Sequence, residues 1–230
     1  MPLASGLWPL VYIPRVHASL SIALLGFLLG VRHAIDPDHV IAVGTIATRT
    51  TSFRRAAAVG ALWGIGHTLT ILAVGGTIIL LRVVISPRVG LAMEFAVALM
   101  LILLGVQNLA SARQATAPAP SPARPFVVGM VHGMAGSAAI VLLVLATVTD
   151  PYWALAYLIL FGTGTVVGMI IVTGIIAVPA SLALARVRNA RRWLTLASGV
   201  ASVVLGVLLA SKLTEADGGL FSAAPVWVPR

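Results

Sequence analysis

The chain has 230 residues, of which 60% are hydrophobic and only 9% charged, with a mean hydropathy of +1.07. Soluble domains carry about 25% charged residues, so a water-soluble fold is excluded and a multi-span membrane protein is expected. The net charge of +9 does not imply nucleic acid, because the arginines fall in short segments between apolar runs, where they bias orientation.

The first 20 residues lack a basic region followed by a clean apolar core, so no cleaved signal peptide is read, and residues 1–17 form an N-terminal segment. Six spans follow, each long enough for the roughly 20 residues a bilayer requires. The first covers residues 18–47 and contains "VRHAIDPDHV" (Val31–Val40). Two of the chain's six acidic residues stand here, with two histidines and Arg32. An ionisable group at bilayer depth costs on the order of 2.5–3.5 kcal/mol on insertion scales. Such a group must therefore be paired, face water or meet a cation. Arg32 offsets one carboxylate, and a divalent cation offsets both. Pro37 removes a backbone donor and biases Asp36 away from helical geometry. "DPDH" also reads as a helix start, with Asp36 as N-cap. A kink or break is thus predicted near Ile35–Asp36, turning His33, Asp36, Asp38 and His39 toward one point. Imidazole and carboxylate suit Ni, Co, Zn, Fe or Mn better than Cu(I). The competing reading is a re-entrant corner whose charges pair with Arg32.

The second span, residues 56–81, carries His67 among Gly60, Gly64 and Gly66, a small-residue pattern that permits close helix approach. His67 is either a packed histidine or part of the cation path. The third span is 89–110; Glu94 near its start is read as interfacial and given no role. Residues 111–125, "SARQATAPAPSPARP", form a flexible Ala/Pro-rich linker. The fourth span, 126–148, carries His132 without any acidic neighbour, which suggests a structural or supporting part. The fifth and sixth are 152–184 and 193–211, and 212–230 is read as a loose polar tail. Nine arginines (49, 54, 55, 113, 124, 186, 188, 191, 192) fall on one side of this plan, against Arg15, Arg82, Arg88, Lys212 and Arg230 on the other. The positive-inside bias puts the linker in the cytoplasm and both termini outside.

The halves 18–110 and 126–211 resemble each other. "GVRHAIDPDHVIAVGTIAT" aligns with "GMVHGMAGSAAIVLLVLAT", "WGIGHT" with "FGTGTV" and "LLGV" with "VLGV", all at offsets near 98–101. Three spans per half is an odd number, so the second copy inserts upside down. The fold class is therefore an all-α integral membrane protein of six helices in two inverted three-helix repeats, the plan of many secondary transporters.

"LGVRHAIDPDHV" resembles the signature of the nickel/cobalt transporter family (NiCoT, or NicO): His, four residues, Asp-His, here His33 and Asp38-His39, with a further aspartate at Asp36. "GIGHT" is similar to the second signature, and "GMVHGMAGSAA" to a segment of the shorter UreH-like and high-affinity nickel transporter members. The likeness spans about residues 20–212. It departs at Pro37, where Ala is commoner, at Thr68, where Ser is usual, and in having six spans where longer relatives have eight. The resemblance implies metal binding by His33, Asp36, Asp38 and His39, with His67 a further ligand or pathway residue; the residues themselves suggest supporting or pathway positions for Arg32 and His132. It implies Ni(II) or Co(II) as transported substrate at the bacterial inner membrane, with no prosthetic group. Partners are the ion and the lipid bilayer, not nucleic acid. Since His and Asp must shed protons to bind metal, ion and proton movement are expected to be linked.

Two other functions compete with import. Efflux of the same ions would use the same site, and the histidine-free linker favours import over it. A metal-dependent hydrolase lacks HExxH and any glutamate beside the motif, so no enzyme is expected.

Overall fold

The computed structural model describes residues 21, 24–47, 52–81, 85–112, 121, 123–134, 148, 150–187, 189–215 and 218–227. These form seven helices: α1 (Leu24–His33), α2 (Pro37–Ala47), α3 (Phe53–Leu81), α4 (Pro87–Ser111), α5 (Ala123–Gly133), α6 (Pro151–Arg186) and α7 (Ala190–Leu213). Among the described residues there is no strand. α3, α4, α6 and α7 are each long and apolar enough to cross a membrane, and they match the second, third, fifth and sixth expected spans within a few residues. Most of the fourth expected span, 135–147, lies outside the described residues.

Local chemistry sets the helix starts. Pro87 and Pro151 occupy first-turn positions, where a missing N–H costs nothing. Asp150 caps α6 by accepting the Tyr152 N–H at 2.8 Å. Asn189, at φ 67°, takes the left-handed geometry that Asn tolerates and turns the chain into α7. The expected break in the first span is present: α1 stops at His33, Ala34 to Asp36 form a turn, and α2 restarts at Pro37. The Asp36 carbonyl accepts the first bond of α2, from Val40 at 3.1 Å.

α3 packs against α5 and α6, and α4 against α7, while α2 touches α3, α4, α6 and α7. Leu69, Leu99, Leu103, Val106, Ile171 and Ile175 remain exposed along the spanning helices, as expected where the solvent is hydrocarbon. Inside, backbones meet through glycine. A Cβ on Gly30 would collide with the Phe161 carbonyl, and one on Gly129 with that of Trp63. Gly66 faces the Phe126 carbonyl and Gly164 that of Phe27. Across α4 and α7, a Cβ on Gly105 would lie 2.6 Å from the Gly199 carbonyl oxygen, and one on Gly206 2.8 Å from that of Ala98. Each contact recurs with its partners exchanged when the offsets of 98–101 residues are applied.

Two buried polar side chains, Asn108 and Ser202, tie helices together. The Asn108 amide donates to the Thr45 carbonyl at 3.0 Å and to Ser198 Oγ at 3.1 Å, joining α4 to α2 and α7. Ser202 donates to the Leu101 carbonyl at 2.7 Å. The tail expected to be loose instead folds back. Trp227 Nε1 donates to Glu94 Oε1 at 2.8 Å, its ring covers Gly90, and Phe221 meets Phe95 edge-on at 6.4 Å. Glu94, near the start of α4, is buried. Two aromatic side chains in a polar segment were enough to override its average composition.

Candidate metal centre

Five of the residues singled out from sequence, together with His132, meet where α1, α2, α3 and α5 converge. The break between α1 and α2 sets the geometry, since it ends α1 with His33 facing back toward His39 in the first turn of α2. Their ring centroids are 4.3 Å apart. His67 comes from the middle of α3 and His132 from the last turn of α5. All four imidazoles are buried, none more than 4% exposed. Asp36 and Asp38 are 46% and 34% exposed at their side chains, so the carboxylates form the accessible side of a histidine cluster.

Each carboxylate grips imidazole. Asp36 Oδ2 lies 2.9 Å from His33 Nδ1. Asp38 Oδ1 accepts the His39 backbone N–H at 3.0 Å, satisfying a donor at the start of α2, and His39 Nδ1–H at 3.1 Å. Its other oxygen lies 3.1 Å from His132 Nε2. An ionised carboxylate only accepts, so the nitrogens facing it carry protons. That fixes His33 and His39 with Nδ1–H and leaves Nε2 as a lone-pair donor, the arrangement that second-sphere carboxylates impose on metal-binding histidines. His33 Nε2 then accepts from His67 Nε2–H at 3.2 Å. Among the described residues, His39 Nε2 is buried with no partner, as are His67 Nδ1 and His132 Nδ1.

Two sets of donor atoms lie within 4.8 Å of one another: His33, His39 and His67, and Asp38, His39 and His132. Donors around an ion at about 2.0–2.1 Å stand up to about 4 Å apart, so a small inward movement would let either set close on a cation. Arg32 is exposed, and the ion pairs of Asp36 and Asp38 are made by histidines. Two features were not legible in the sequence. One is the carboxylate partner of His132, which stands 94 positions earlier. The other is a pair of aromatic walls, Phe161 against His33 at 5.6 Å and Trp63 against His132 at 5.7 Å. The alignment of the halves pairs both the histidines and these aromatics, and was the available signal.

The sequence model of the NicO family, described as a high-affinity nickel-transport protein, matches residues 19–117. Urease accessory protein UreH of Bacillus sp. (strain TB-90) is 36% identical over 216 residues, covering 86% of this chain and 94% of UreH. The chloroplast protein FOR GROWTH AND FERTILITY 1 of Arabidopsis thaliana is 26% identical over 217 residues, covering 82% of this chain but 58% of that protein. No solved structure matches.

Proposed function

The chain belongs to the NicO family of high-affinity nickel-transport proteins, a family of transporters rather than enzymes, and we propose that it imports divalent nickel, with cobalt as a second substrate, across the bacterial inner membrane. The ion binds at His33, Asp36, Asp38, His39 and His67. The observation that carries this reading is the unpartnered, buried His39 Nε2 beside the facing Nε2 atoms of His33 and His67. A buried polar atom without a partner costs about 1–3 kcal/mol, a penalty that coordination removes. Imidazole donors with flanking carboxylates suit Ni(II) and Co(II).

The transport step is alternating access between two inverted three-helix halves, 18–110 and 126–211, joined by a cytoplasmic linker at 111–125, with both termini outside. The exchanged contacts support it. Gly30 on Phe161 and Gly129 on Trp63, like Gly105 on Gly199 and Gly206 on Ala98, are what a pseudo-two-fold between halves produces, since such an interface is self-complementary. The site lies where the halves meet, as in other inverted-repeat transporters.

Nickel-63 uptake by cells lacking their own nickel importer tests the reading. Cells expressing the wild type accumulate nickel, and His39→Ala abolishes the gain. Equal accumulation by the variant overturns the site; a wild type that lowers cellular nickel overturns import in favour of efflux.

A further inference from the structure

We propose that His132 is itself a ligand of the transported ion: with Asp38 and His39 it forms a second binding set that overlaps the His33–His39–His67 set through His39. The ion passes between the two by exchanging partners around His39. This rests on the divalent-metal reading above.

His39 stands midway between the two outer histidines, its ring centroid 4.3 Å from His33 and 4.1 Å from His132. Its two nitrogens serve different sides, Nδ1 toward Asp38 and Nε2 unpartnered. The donors of the second set lie within 4.8 Å of one another, as those of the first do. His33 and His132 are counterparts in the aligned halves, and each lies against a counterpart aromatic, Phe161 or Trp63. An ion moving from the first set to the second therefore passes from a histidine of one half to its equivalent in the other, while His39 stays bound throughout. Such a hand-over suits alternating access, because neither half has to release the ion before the other holds it. As ligand, His132 releases its hydrogen bond to Asp38, its proton shifts to Nδ1, and Nε2 and the carboxylate oxygen then face the ion.

Bracing and ligation are separated by two substitutions. His132→Gln keeps an N–H for Asp38 but coordinates poorly, whereas His132→Cys coordinates well and donates weakly. Purified full-length protein in detergent is titrated with Co(II), and the same variants are assayed for nickel-63 uptake. The expected result is a Gln variant that still binds Co(II) but takes up nickel about 10-fold more slowly or worse. The Cys variant is expected to show a thiolate-to-cobalt charge-transfer band and to retain more uptake than the Gln variant. A Gln variant transporting like wild type, or a Cys variant that binds Co(II) without the thiolate band, overturns the proposal and leaves the first set standing. Failure of the wild type to bind Co(II) removes the metal-transport reading, and this proposal with it.

Discussion

Asp38 receives three hydrogen bonds, two from His39 and one from His132, and its charge is what holds two imidazoles from different parts of the chain in a defined orientation. Asp38→Asn keeps the size but removes the charge. It also puts an N–H where one histidine now donates, so that histidine must turn or change tautomer. Nickel-63 uptake is expected to fall by at least about 10–100-fold, a loss that even a partner just outside the ligands would cause. Among the described residues the Asp36 carboxylate is paired with His33 alone, and it is 46% exposed, so water can replace much of its contribution. Asp36→Asn is accordingly expected to be the milder variant in the same assay. Equal losses would mean that the link from Asp38 to His132 carries nothing. At this scale the sequence is informative where partners are neighbours: His33, Asp36, Asp38 and His39 lie within one turn and a break. It is mute where the partner is remote, because nothing near His132 announces a carboxylate supplied from α2.

Helix contacts in this protein depend on backbones touching, and hydrophobicity gives such contacts little preference when the surrounding lipid is equally apolar. Gly30 and Gly129 hold equivalent places against carbonyls of α6 and α3. Gly30→Ala and Gly129→Ala should each destabilise by about 1–3 kcal/mol, the ordinary cost of overpacking. Heat unfolding in detergent is expected to give a lower midpoint for both, and an unchanged midpoint for either would mean that the helices separate easily. The tail obeys a different rule. Trp227 donates to a buried glutamate, and Trp227→Ala leaves Glu94 short of a partner at about 1–3 kcal/mol. If that pairing is the cause, Glu94→Leu with Trp227→Ala will cost less than the two single losses combined; strict additivity would deny it. The apolar lengths of α3, α4, α6 and α7 could be read from hydropathy, and the break before α2 from Pro37. The docking of the tail could not, since it rests on single side chains that averaging over a polar segment conceals.

For the bundle as a whole, the arginines predict a sidedness. Arg54 and Arg55 open α3, while Arg88 lies beside the start of α4, at the end where α3 finishes. A 29-residue helix separates them, about 44 Å at the usual rise per residue and more than the roughly 30 Å hydrocarbon thickness. Ser52 and Ser86 are exposed just before α3 and α4, so they report opposite faces of the membrane. The chain has no cysteine, which makes single cysteines at these positions unambiguous probes. With an impermeant maleimide, Ser86→Cys should be labelled in intact cells and Ser52→Cys only after permeabilisation. The positive-inside bias predicts that order, because the six-span plan read from the sequence assigns nine arginines to the side bearing Ser52. Reversed labelling would put the arginine-rich side outside, and the tail docked beside α4 would then face the cytoplasm. Labelling of both from outside would mean that α3 does not cross the bilayer. His67 would then not lie at membrane depth, and the partnering of its buried neighbours would need no cation.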